Sequence, residues 1–133
     1  MFSFSINLQS FDSDGFTLGT QDGLNKNGDN IVSWNWLAGG GQGSSNTDGS
    51  INTTYTSVNT TAGFSISQYT GTGANATIGH GLGAAPKAVI IKKTNTASDW
   101  VVGHNSMGGW NYVLNLNSTS ARADQSNQFQ STA

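Results

Sequence analysis

At 133 residues the chain has room for one domain, and at 9% its charged content lies far below the usual share of about a quarter in soluble proteins. Five basic and seven acidic residues give a net charge of −2, which leaves no basic surface for nucleic-acid phosphates. The absence of cysteine excludes a disulfide framework and thiolate metal sites, and no apolar run reaches the ~20 residues of a membrane span.

Gly, Ser, Thr and Asn dominate, glutamate is absent, and helix formers are scattered. This composition predicts an all-β fold, an antiparallel β-sandwich of jelly-roll-like or Ig-like type with few or no helices. The chain opens on strict alternation, with Phe2, Phe4, Ile6 and Leu8 on one face and Ser3, Ser5 and Asn7 on the other. Asp12-Ser13-Asp14-Gly15 is a turn, Phe16–Leu18 a second short strand, and Asp22–Asn30 a polar turn. Ile31–Ala38, IVSWNWLA, alternates again, so Val32, Trp34 and Trp36 are expected to face the core. Gly39–Ser50, GGGQGSSNTDGS, has the composition of a flexible linker. It separates leading strands (1–38), which complete or swap into the main sandwich, from a main β module (51–133).

In that module Ile51–Val58 and Gly63–Tyr69 are expected strands joined by Asn59-Thr60-Thr61-Ala62. A glycine-rich turn, GHGLGAAP, then leads into Ala88–Lys93, whose middle is apolar on both faces and reads as a central, covered strand. Trp100–Gly103 and Trp110–Leu116 follow as strands, and the polar C-terminal stretch carries Phe129 as its only large apolar anchor. Trp110 is assigned to the core with Trp34 and Trp36. Trp100, beside Asp99 at a strand start, is expected to be exposed.

The residues offer little catalytic machinery. His80 and His104 are the only imidazoles and lack neighbouring carboxylates in sequence. His80 is expected to bond the backbone of the Gly81-Leu82-Gly83 turn, while Pro86 sets the entry into the central strand. Asp12-x-Asp14-Gly15 matches only the opening of a calcium loop, whose twelfth position here is Gly23 and not Glu. No cofactor is therefore expected, a structural calcium at Asp12 and Asp14 lacking further support. No G-x-S-x-G elbow or P-loop occurs, so the chain is not expected to be an enzyme. N-x-S/T triplets at Asn52, Asn59, Asn75 and Asn117 follow from the Asn- and Thr-rich composition and mark solvent-facing positions.

The segments FDSDGFTLG (11–19), VSWNWLAGG (32–40), SNTDGSI (45–51), NTTAGFSI (59–66), YTGTGANATIGHGLGAAPKAVIIKK (69–93), DWVVGH (99–104) and NYVLNLNSTSA (111–121) together span most of the chain. In that order they resemble an uncharacterised β-rich domain that recurs in tail-fibre and virion structural proteins of marine and cyanobacterial phages. The HGLG-x-x-P portion is similar to a turn motif of phage tail and receptor-binding proteins. The resemblance implies an extracellular, virion-associated structural or adhesive role.

The leading expectation is thus a phage tail-fibre or surface-assembly module that binds copies of itself, as a homotrimer or higher assembly, together with other virion proteins. Its assembly edge is placed at Phe2, Phe4, Ile6 and Leu8, an apolar strand that invites pairing. The alternative is a lectin-like module contacting a host-surface glycan through Trp100, Asp99, Tyr69 and Asn105, with the loops 39–50, 71–76 and 105–109 as its tip. A polysaccharide hydrolase is the third reading and requires clustered carboxylates in a cleft. Neither nucleic-acid binding nor membrane insertion is expected.

Overall fold

Strand formers separated by turn residues give a chain that is antiparallel β in nearly all its regular structure. The computed structural model describes residues 7–125 and 128–129, with strands in three separate sheets and one short helix. The chain divides into two units, Met1–Trp36 and Leu37–Ala133. The all-β expectation holds.

In the first unit β1 (Leu8–Asp12) pairs with β2 (Gly15–Leu18) across the Asp12–Gly15 turn. Both carboxylate oxygens of Asp12 are held by hydroxyls, Oδ1 accepting from Ser10 Oγ and Oδ2 from Thr17 Oγ1, each at 2.9 Å. Of the expected assembly edge, Leu8 opens β1 opposite Leu18, while Phe2, Phe4 and Ile6 lie outside the described residues. Within the expected polar turn, Asp22–Asn25 forms a single helical turn, α1.

The stretch 31–38 corrects an expectation. It forms no strand, and Val32, Trp34 and Trp36 are 68%, 73% and 60% exposed instead of filling a core. Alternation marks what a strand would bury once it has a partner. No described strand pairs with this segment, so the pattern has nothing to act on.

The second unit begins with a hairpin. β3 (Tyr55–Asn59) pairs with β4 (Phe64–Gln68), and Asn59 Oδ1 accepts the Ala62 amide at 2.9 Å to close the turn. The glycine-rich stretch 39–50, expected as a flexible linker, is sewn onto this hairpin. Ser44 bridges Thr56, Ser45 Oγ donates to the Thr53 carbonyl at 2.7 Å, and Ser50 and Thr77 exchange amide-to-hydroxyl bonds at 2.8 and 2.9 Å. Glycine is needed where the backbones meet. A Cβ on Gly43, whose φ is +77°, would sit 1.9 Å from the Thr56 carbonyl oxygen, and one on Gly79 would sit 1.7 Å from Asn46 Oδ1.

The most deeply buried polar side chains here are threonines. Thr53 and Thr56 are 2% and 7% exposed, and their hydroxyls lie in one chain of hydrogen bonds. Asn46 N–H donates to Thr53 Oγ1 at 2.8 Å, Thr53 and Thr56 meet at 2.9 Å, Thr56 and Ser67 at 2.9 Å, and Ser67 Oγ donates to the Gly79 carbonyl at 3.3 Å. The ends fix its sense. Ser67 spends its proton on Gly79, so Thr56 must donate to Ser67, and Thr53 to Thr56.

The last sheet runs β5 (Ala88–Ile91), β6 (Val101–His104), β7 (Tyr112–Asn115) and β8 (Ala123–Asp124), each antiparallel to the next. Val113 of β7, 4% exposed, is the one buried hydrophobic among the described residues. Val113 and Gly103 are opposite each other in the ladder. Phe129 fills the space Gly103 leaves: a Cβ there would lie 3.0 Å from its ring. Phe129 also packs against Trp110 at 6.2 Å between ring centroids, and Trp110 is half-buried. β5 corrects a second expectation. The aliphatic run read as a central strand lies at the sheet edge, with Ile90 49% exposed.

Thr56→Val keeps the shape of the side chain and removes the middle hydroxyl, leaving the Thr53 proton without an acceptor. Urea or thermal unfolding is expected to show a loss of about 1–3 kcal/mol. Undiminished stability would mean that the hydroxyl chain holds nothing together.

Candidate functional site

One corner of the four-stranded sheet gathers an aromatic ring and several polar groups from three strands. Trp100 immediately precedes β6, Lys92 immediately follows β5, and Asn115 ends β7. Asp99 is the organiser. Its Oδ2 accepts from Asn115 Nδ2 at 3.0 Å and its Oδ1 from Asn117 Nδ2 at 2.9 Å. Asn117 Oδ1 in turn accepts the Trp100 amide at 3.0 Å, and the Trp100 carbonyl accepts the Leu116 amide at 3.0 Å. On the other side Lys92 Nζ lies 6.0 Å from the Trp100 ring centroid, held by the Ser98 carbonyl at 2.7 Å and Ser98 Oγ at 3.2 Å.

The result is an indole that is 47% exposed on a fixed backbone, with amide, carboxylate and ammonium groups around it. A flat aromatic surface bordered by hydrogen-bonding groups can stack on the apolar face of a ring and engage its hydroxyls. Lys92, Asn115 and Asn117 did not stand out in the sequence. The signal that marks the asparagines is their period-two spacing at the end of a strand, which keeps both side chains on the same side.

The other residues assigned to glycan contact lie elsewhere. Asn105 follows the far end of β6, roughly 16 Å along the strand from Trp100 at about 3.3 Å per residue, and opens a short 3-10 turn (Asn105–Met107). Tyr69 directly follows β4, in the other sheet of this unit. Trp100 and Asp99 thus share one corner, and Asn105 and Tyr69 belong to other parts of the unit.

The two histidines do matching work. His80 Nδ1 accepts the Leu82 amide at 3.1 Å, and His104 Nδ1 accepts the Ser106 amide at 3.0 Å, each ring closing a tight turn two residues on. Gly81 and Gly83 flank Leu82 with φ of +70° and +73°, and the His80 carbonyl accepts from Ser65 Oγ at 2.6 Å. Pro86, half-buried, stands between this turn and β5. Beside the turn is a shallow, open depression of about 430 Å³ lined by Asp48, Ile78, Gly79, His80, Gly81, Gly83, Ala84 and Ala85. Its titratable groups are already engaged: His80 Nδ1 by Leu82, and Asp48 Oδ2 by Asn46 Nδ2 at 3.0 Å. Among the described residues no three His, Cys, Asp or Glu side chains converge as a metal site would require, and Asp14 lies in the exposed β1–β2 turn.

No curated protein matches the chain, and no solved structure matches it. One family profile does, that of a domain of unknown function designated DUF7483, and it covers residues 3–133. Spanning nearly the whole length, that match establishes that the chain belongs to the DUF7483 family.

Proposed function

We propose that this chain is a structural β module that assembles with copies of itself as a component of a phage virion, in a tail fibre or on the particle surface. The observation that carries the reading is the scarcity of core. Among the described residues one hydrophobic side chain is buried, and no large side chain falls below 2% exposure. Trp34, Trp36, Leu37 and Phe11 are each at least 60% exposed.

Apolar surface on this scale favours burial against further protein, at about 25 cal/mol per Å² removed from water. With 9% charged residues there is little repulsion to keep identical surfaces apart. The virion setting comes from the likeness of the sequence segments to phage tail-fibre domains. Native mass spectrometry of the purified chain is expected to show an oligomer that persists at micromolar concentration. A cooperatively folded 13.8 kDa monomer under those conditions refutes the proposal.

A second reading, glycan adhesion, is favoured by the Trp100 corner. In it the exposed indole stacks on a sugar while Asn117 and Lys92 supply hydrogen bonds. On a glycan array the parent assembly is expected to bind a reproducible subset, and Trp100→Ala to weaken that binding at least tenfold, a loss of about 1.4 kcal/mol. Silence of the parent, or equal binding by the variant, removes this reading and leaves the structural one.

A further inference from the structure

We propose that the outer edge of β5 is where a second copy of this chain adds its own β5, antiparallel and about a twofold axis, with Val89 facing the partner's Val89. This deepens the self-association reading and rests on it.

The backbone shows which groups are free. The Lys87 carbonyl accepts the Asn105 amide of the adjoining strand at 3.0 Å, so Lys87 directs its polar groups towards β6. Strand alternation then turns Val89 and Ile91 the same way and leaves the N–H and C=O of Ala88 and Ile90 pointing outward. β6 gives the same answer independently. Its preceding residue, Trp100, accepts the Leu116 amide, so Trp100 and Val102 face β7, while Val101 and Gly103 face Ile91 and Val89. No described strand lies beyond β5.

The two edges of the sheet are built differently. β8, at the far side, is two residues long and ends on Asp124, a short, charged edge that resists pairing. β5 is AVII, four uncharged residues of high strand propensity, with Ile90 and Ile91 49% and 37% exposed. It has the composition of a central strand and the position of an edge strand, and one more strand reconciles the two. What satisfies a row of outward amides and carbonyls is another backbone, which makes the occupant a strand.

Self-pairing has a register that fits. With Val89 on the axis, Ala88 and the partner's Ile90 form hydrogen-bonded pairs on either side, using the groups that point outward. Lys87 then lies opposite the partner's Ile91, and Lys92 opposite the partner's Pro86. Moving the axis to Ile90 would set Lys93 against the partner's Lys87, a like-charge pair that disfavours that register. Pro86, lacking an N–H, ends the ladder. A twofold contact also closes on itself: the joined sheet presents only the protected β8 edges, so pairing at β5 does not propagate into a fibre. It predicts an even number of chains per assembly, a dimer or a dimer of higher units, and not a bare trimer.

Two measurements test this. Ile90→Pro deletes an outward N–H while sparing the ladder to β6, and native mass spectrometry is expected to show it at half the parent's chain number. In the intact parent, hydrogen exchange monitored by NMR is expected to protect the Ala88 and Ile90 amides at least tenfold more in the assembly than in dilute monomer. Val89 and Ile91 are protected in both states. Should the proline variant fail to fold, the exchange pattern in the parent decides alone. A parent assembly with freely exchanging Ala88 and Ile90 amides overturns this interface and leaves self-association standing. So does loss of assembly on deleting residues 1–8 when Ile90→Pro assembles normally. A parent that is monomeric at all concentrations overturns both.

Discussion

The second unit depends on a polar constraint: a chain of hydroxyls running in one direction from the Asn46 amide through Thr53, Thr56 and Ser67 to the Gly79 carbonyl. It ties three pieces of backbone that share no continuous ladder, namely the glycine-rich stretch, the β3–β4 hairpin and the strand-like segment before His80. Hydroxyls this buried must be paired, because each unsatisfied one costs about 1–3 kcal/mol. Several other features follow from it. Gly43 and Gly79 are glycines because the segments joined this way come too close for a Cβ. The turn that His80 closes starts from the residue after Gly79, so its position is set by the same seam. A chain with few aliphatics thus organises its interior by satisfying hydrogen bonds, and the hydrophobic contribution is left to a small cluster around Val113, Trp110 and Phe129.

The parts of the fold that were legible in the sequence are those that local chemistry determines. The Asp12–Gly15 turn is flanked by hydroxyls that hold Asp12, from Ser10 and Thr17, and Asn59 closes the β3–β4 turn by accepting the Ala62 amide. β6 and β7 follow from alternation or strand propensity over enough residues to register. β8 has two residues and therefore no period to detect. Residues 31–38 carry a strand pattern without forming a strand because alternation states which face a strand would bury, and not whether a partner exists. The edge position of β5 is hidden for a related reason: an unbroken aliphatic run looks the same in a covered central strand and in an edge strand awaiting one. The seam at 39–50 was illegible because Gly, Ser and Asn in that density also describe a free linker. The difference is made by Thr53, Thr56 and Thr77, which come later in the chain.

The Trp100 corner divides the same way. An indole next to an aspartate at a strand start was readable as exposed, and it is. The asparagines that frame it arrive from the β7 end, 16 and 18 residues beyond Asp99, through strand pairing alone. Residue type alone groups Tyr69 and Asn105 with Trp100. Strand topology sends Asn105 to the opposite end of β6 and Tyr69 to another sheet.

The small apolar interior has a calorimetric consequence. The heat-capacity change of unfolding grows with apolar surface newly exposed and shrinks with polar surface newly exposed. A single chain whose best-buried groups are threonine hydroxyls, and three of whose four tryptophans are exposed, has little apolar area left to uncover. Its stability curve is therefore shallow, varying little between cold and warm. Strong curvature, where it arises, is a property of contacts between chains, and its appearance with rising concentration distinguishes a finished assembly from its parts.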